Sequence, residues 1–402
     1  MRSRTAEVLI VGAGIVGSCT AYYLARRGVH VALVDARDIA SGTSGSCDRA
    51  VMMQSKKPGP MLQMALASAR LYEHLSGELD ADVEYDRHGG MILIETAAEY
   101  EAISSLLPQQ RAAGVDVQLL DRDAAIARQP AVSPHILGAT YWDGDGEVNP
   151  LEVCFAMVRA ARRCGAAVLV RTEVLGFVTE GKRVVGARTS AGDIRAEKTI
   201  IAAGVWSPML GRMLDLDIPI IPRKGHILVT ERLPRLIRGE ILSGRYIMKK
   251  HSVSAEASPG RATDYGVGLV LGQTRSGNLL IGGSREFAGY DVTTSRAVLH
   301  EIAQTAVRLF PVLAHVALIR AFAGLRPFTR DGKPILGAVP ERPGLYLAAG
   351  HDGDGIALGP ITGQIMANVV TGRTTGWDLS PFALSRFQQP APRASRPVAS
   401  ER

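Results

Sequence analysis

Apolar and polar positions along this chain alternate between short strand-like runs and longer helical ones. Glu7 to Val11 is a short apolar strand run, "SCTAYYLARRG" reads as a helix ending at Gly28, and "VHVALVDAR" as a second strand closing on Asp35. In "MLQMALASARLYEHLSGEL", Met61 to Leu79, apolar residues recur at three-to-four spacing, which predicts a helix. Farther on, "LVRTEVLGFVTEGKRVVGARTSAGDIRAEKTIIAAGVWSPML" alternates strand-like runs with Gly and Gly-Asp turns. Near the C-terminus "GLYLAAGHDGDGIALGPITGQIMANVV" gives a strand, a glycine-rich turn from Gly350 to Gly355 and a helical run. In "AFAGLRPFTRDGKPILG" the Asp331-Gly332 turn between apolar strands predicts a hairpin that presents Arg326 and Thr329 and leaves Arg330 solvated. "SGRYIMKK" reads as a strand bearing Tyr246.

Composition narrows the function classes. With 402 residues, 46% hydrophobic and 21% charged, the chain has the length for two domains and an ordinary soluble composition. Its only long uncharged run, Val8 to Ala25, contains three glycines and fits neither a membrane span nor a signal peptide. The net charge of +7 is spread over scattered basic residues and aromatics are only 5%, which argues against nucleic acid. Cys19, Cys47, Cys154 and Cys164 have neither metal nor disulfide spacing, and a cytoplasmic setting is the default. "PAPRASRPVASER" is rich in proline, serine and arginine, and residues 385–402 are expected to form a flexible tail.

Chemistry enters at Gly12-Ala13-Gly14-Ile15-Val16-Gly17, a GxGxxG turn between the first strand and the first helix. Gly12 permits the tight turn, Gly14 lets backbone approach a pyrophosphate, and Gly17 lets the helix pack on the strand. The helix N-terminus then offers free N–H groups to the phosphates. Asp35 ends the second strand where a carboxylate accepts from a ribose hydroxyl, with Ala36 and Arg37 beside it, and an acid there disfavours NADP. FAD and NAD both remain open on these residues alone. Ser41, Thr43 and Ser44 follow in a small-residue loop that can bring hydroxyls and N–H groups to the same pyrophosphate.

These segments, with "AAGVWS" and "GHDGDGI" in this order, resemble the D-amino-acid oxidase superfamily of FAD-dependent amine oxidoreductases, over Ala6 to about Val370. The resemblance implies FAD rather than NAD. It places the adenine on the backbone of Val174, and flavin contacts along Ala50, Val51 and Met52, at Ala203, Gly204 and Trp206, and at Gly324. It adds Gly350, Gly353, Asp354, Gly355 and Ile356 around the reactive ring. It also implies an α/β architecture, a Rossmann-type FAD-binding domain (1–85, 145–215 and 325–375) interleaved with an α+β substrate domain on a mainly antiparallel sheet (86–144 and 216–324). "TSGSCDRAVMMQSKKPGP" followed by "GHDGDGIALGPITG" looks most like the β subunits of opine oxidases and D-hydroxyproline dehydrogenases, which implies partner subunits that accept electrons. Arg49 stands where relatives commonly carry a glycine beside the flavin.

For catalysis the resemblance carries the substrate-carboxylate anchor to Arg326, whose planar fork suits a carboxylate. It brings Tyr246 toward the substrate, where residue type alone reads core. His351 either touches flavin or caps its turn. The Lys56-Lys57 pair either holds a phosphate, such as that of an FMN at a subunit boundary, or lies in a solvated loop. The lysine that assists oxygen in sarcosine oxidases would fall near Gly289, leaving Arg285 as the nearest cation. The function implied is oxidation of a carboxylated, secondary amine. The rivals are a stand-alone oxygen-using oxidase, a flavin-bearing structural subunit and a nicotinamide dehydrogenase.

Overall fold

A computed structural model describes residues 4–251 and 265–387. Its core is two sheets. In the first, the strand order is Ile335–Ala338, Leu345–Ala349, Gly192–Ile201, Arg4–Val11, Val31–Val34 and Ala167–Leu169, with Val174–Glu180 and Arg183–Thr189 attached beside Gly192–Ile201. The opening strand therefore sits at the centre, parallel to both neighbours. The chain reverses its direction of travel across the sheet there, which leaves a crevice at the carboxyl end of that strand.

The first helix, Ile15–Ala25, is buried along its whole length. It is covered by the helices Gly355–Val370 and Pro150–Arg163. Gly363 permits this closeness, since a Cβ there would lie 2.6 Å from that of Cys19. The helix expected over Met61 to Leu79 spans Pro60–Leu79, with its apolar stripe buried.

The second sheet runs Leu318–Phe328, Ile221–Arg232, Asn278–Gly282, Val270–Gln273, Glu240–Ser243, Gly90–Ile94, Gly138–Trp142 and Gln118–Asp121. All its pairs are antiparallel except that of Glu240–Ser243 with Gly90–Ile94. The helix Arg296–Leu309 packs on it through Val298, Ile302 and Leu309.

Several expectations change. No hairpin forms about Asp331-Gly332. Leu318–Phe328 pairs with Ile221–Arg232 in the second sheet, whereas Ile335–Ala338 pairs with Leu345–Ala349 in the first. The turn carries the chain between sheets, and the boundary drawn at residue 325 falls inside a strand. Thr329 is fully buried and donates its hydroxyl to the Lys333 carbonyl, while Arg330 is exposed as expected.

Tyr246 lies in a helix, Gly244–His251, not a strand. The Ser243 hydroxyl accepts from its N–H at 3.2 Å, and Lys249, Lys250 and His251 occupy the last turn, where cations favour a helix. The chain remains ordered as Leu384–Phe387 at the start of the expected tail, whose remainder lies outside the described residues. Among the described residues no helix is long and apolar enough to cross a membrane.

Candidate active site

A single cavity runs from the glycine turn to the second sheet. Gly12 holds φ +111°, and a Cβ there would fall 2.5 Å from the Ala202 carbonyl oxygen, so the turn requires glycine. The Ala13 N–H donates to Asp35 Oδ2 at 2.7 Å and the Arg37 N–H to Oδ1 at 2.8 Å, which fixes the carboxylate at the cavity wall. Ser44 accepts from the Ile15 N–H at 3.0 Å, and the Thr43 hydroxyl donates to the Leu325 carbonyl at 2.6 Å, tying this loop to the second sheet. The Arg37 guanidinium stacks 4.5 Å over the Trp206 ring.

At the other end Arg326 points from the strand Leu318–Phe328 across its neighbour. Register pairs Arg223 with Arg326 and Gly225 with Gly324, so all four lie on one face. The Arg326 guanidinium occupies the space a Gly225 side chain would fill, and its Nη2 would lie 3.2 Å from a Cβ on Gly283. Nη1 donates to the Ser284 carbonyl at 2.8 Å, and among the described residues no carboxylate pairs with Arg326. Its neighbour Arg223 is spent differently, on Asp352 and 4.5 Å over the Phe328 ring.

Around this compartment the charges are unusually buried. Arg285 lies 4.0 Å over the Tyr246 ring and donates to its carbonyl at 3.4 Å. Burial, reinforced by Arg326 and Arg223, pushes Arg285 down to about 10. Tyr246 itself is 7% exposed and borders Gly283, the residue on which Arg326 rests. His351 lines the cavity and its Nε2 lies 3.1 Å from the Thr362 hydroxyl; burial holds it down at about 4, so it is neutral at ordinary pH.

Lys56 is not in a solvated loop. It is buried, donates to the Met52 carbonyl at 2.7 Å and pairs with Asp354 at 3.0 Å. Lys250 pairs with the same carboxylate at 2.9 Å. Lys56 is thus committed to Asp354, and exposed Lys57 donates to the His251 carbonyl at 3.4 Å. Burial opposes the charge on Asp354, but Lys250 and Lys56 outweigh it and hold the carboxyl below its usual range. Arg49 turns away from the cavity into ion pairs with Glu84 at 3.0 Å and Glu147 at 3.9 Å.

Most of the residues singled out in the sequence converge on this cavity: Gly12, Gly14, Ile15 and Val16 at the turn, Asp35, Ala36 and Arg37 beside it, and Ser41, Thr43 and Ser44 in the loop. Val174, Ala203, Gly204, Trp206, Gly324, Gly350, Gly353, Gly355 and Ile356 join them. Gly17, Ala50, Val51, Met52, Asp354 and Tyr246 do not line it. Gly17 packs against the Gly12 carbonyl, Ala50 and Val51 pair with Gly146 and Glu147, Met52 is core, and Asp354 faces its lysines. Asp48, Gly225 and Asp352 line the cavity and were not anticipated. An acid among the small residues of "TSGSCDRA" was the one available signal for Asp48.

The residues fit an extended dinucleotide: side-chain-free backbone at Gly12 and Gly14, an anchored carboxylate at Asp35, and one continuous apolar-walled cleft onward to Arg326. Residues 7–369 match the family model described as FAD dependent oxidoreductase, so the chain belongs to that family. Hydrogen cyanide synthase subunit HcnC of Pseudomonas aeruginosa is 31% identical, with 98% of each chain covered. The glycine oxidase of Geobacillus kaustophilus is 30% identical over 94% of this chain and 97% of its own. Its crystal structure superposes with a TM-score of 0.86 at 28% identity, covering 96% of this chain and 99% of that one. The L-proline dehydrogenase of P. horikoshii gives 0.86 at 25% identity over 96% and 99%. The chain is thus an FAD-dependent oxidoreductase of the amine and amino-acid type.

Proposed function

We propose that this chain oxidises a carboxylated amine, with secondary amines such as opines, D-hydroxyproline or N-alkyl amino acids, and D-amino acids, as the substrate class. The observation that carries the reading is Arg326, a guanidinium laid across glycines at the cavity's end with no carboxylate partner among the described residues. A planar two-pronged donor in that setting suits a ligand carboxylate. The names of the relatives agree, since glycine and proline are both carboxylated amines.

When bound, FAD would supply the acceptor for the hydride lost from the amine-bearing carbon once the nitrogen has given up its extra proton to solvent, leaving a protonated imine. The chain supplies the rest. The Gly12 to Gly17 turn, Asp35 and Ser44 shape the dinucleotide cleft. Arg326 orients the carboxylate and so fixes the carbon to be oxidised, a positioning worth about 7–11 kcal/mol where it is complete. Arg285 and Tyr246, stacked on each other, lie behind Gly283, on which Arg326 rests. His351, neutral, contributes a polar ring without charge.

Transfer of the electrons to a partner subunit is the preferred outcome, supported by the subunit status in the name of HcnC. A stand-alone oxidase is the second reading, supported by the glycine oxidases. A panel of carboxylated amines, mixed anaerobically with the purified flavoprotein and then assayed with a dye and with oxygen, tests all of this. Bleaching by an amino acid with dye reduction and little oxygen uptake is expected. Rapid oxygen consumption would favour the oxidase, and an unbleached flavin would leave a flavin-bearing structural subunit.

A further inference from the structure

Asp48 and Arg326 share a compartment for a topological reason. Gly324 and Arg326 are two residues apart on one strand and so face the same side. The Ser46 carbonyl occupies the space that a Gly324 side chain would need. The 46–48 segment therefore rests on the face that bears Arg326, and Cys47, Asp48 and Arg326 all line the cavity.

Asp48 is sparsely held. Its Oδ1 accepts a long 3.3 Å bond from the Ala50 N–H of its own turn, and among the described residues it has no ion pair. Of the charged groups around it, Arg326 and Lys250 attract and Asp354 repels, with the Cys47 thiol alongside. Lys250 is already committed to Asp354. One end of the cavity thus presents a guanidinium and a carboxylate that have no ion-pair partner among the described residues, the complement of a zwitterion. Asp48 is half-buried, and a carboxylate partly withdrawn from water without an ion pair is stabilised by a ligand cation.

We propose that Asp48 is the specificity-determining counter-charge for the substrate's protonated amine. The compartment then selects amino acids over carboxylic acids that lack the nitrogen. This rests on Arg326 as the carboxylate anchor. Burial raises the pKa of Asp48 while Arg326 opposes the rise, and a bound ammonium opposes it further.

The test uses two acids of one shape, 2-aminoisobutyrate and pivalate, which differ only in whether an ammonium or a methyl group sits on the central carbon. Neither has a hydrogen on that carbon, so neither is oxidised there, and calorimetric titration of the FAD-loaded protein reads affinity alone. Wild type is expected to bind 2-aminoisobutyrate at least about tenfold more tightly than pivalate, the ratio of one charge-assisted hydrogen bond. Asp48→Asn is expected to bring that ratio within about threefold with pivalate affinity retained, and Asp48→Glu to keep the preference. Equal affinities in wild type, or a preference untouched in Asp48→Asn, would overturn Asp48 alone. Failure of both acids to bind would overturn the Arg326 anchor and this proposal with it.

Discussion

The two ends of the cavity are built by opposite means. At the dinucleotide end, one uninterrupted stretch from Arg4 to Ser44 supplies a strand, a glycine turn, a helix N-terminus, a carboxylate and a hydroxyl. Its recognition elements are mostly backbone, and its one acid is locked by two N–H groups. At the end proposed for the substrate the lining charges are Asp48, Arg326 and Asp352, with Arg223 paired to Asp352, and they meet because two sheets abut. Backbone recognition serves a ligand that never changes, whereas side-chain recognition lets the substrate differ between relatives on one scaffold.

If that division is right, the ends fail separately. The largest effect is expected from Gly12→Val, which forces a branched side chain into φ +111° and against the Ala202 carbonyl. The protein should purify without flavin, and absorbance spectra that still show stoichiometric FAD would break the comparison at its first end. Arg326→Ala should do the reverse: FAD content unchanged, with kcat/KM for a carboxylated amine lower by about two to three orders of magnitude, as for a truncated buried charge pair. Unaltered kinetics would remove the anchor.

Asp354→Ala probes the seam between the ends. It strands Lys56 and Lys250 beside each other without a counter-charge, and about 3–5 kcal/mol of stability should vanish in denaturant unfolding. A variant as stable as wild type would show that the cluster is solvated. The smallest effect belongs to His351. Its pKa is depressed to about 4, so the ring stays neutral as pH rises from there and should add no limb to kcat/KM above about pH 5. A limb near pH 6.5, the ordinary histidine value, that disappears in His351→Gln would contradict this.

Legibility followed the same division. The turn, Asp35 and Ser44 could be read from sequence because their partners lie within a few tens of residues, whereas the Leu325 carbonyl that takes the Thr43 hydroxyl could not. Tyr246 was misread as strand because its helix is only eight residues long, too short for its period to stand out; the Ser243 hydroxyl accepts from the Tyr246 N–H at the helix start. The turn at Asp331-Gly332 looked like a hairpin because hairpins and sheet crossings share the same local residues. Only the pairing of Ile335 with Ala349 separates them. Burial of Lys56 could not be seen at all, since its acid is Asp354, in another part of the chain. Arg326 was found through resemblance, and Asp48 was found only when its loop was seen lying against Gly324.

The carboxylate shared by Lys56 and Lys250 has an evolutionary corollary. It binds the loop after Met52, the helix Gly244–His251 and the start of the helix Gly355–Val370 into one ion-paired knot. Loss of the acid leaves two like charges side by side in a dry place, whereas loss of either lysine leaves a neutral pair. In descendants of this sequence the acid should therefore be kept wherever both lysines are kept.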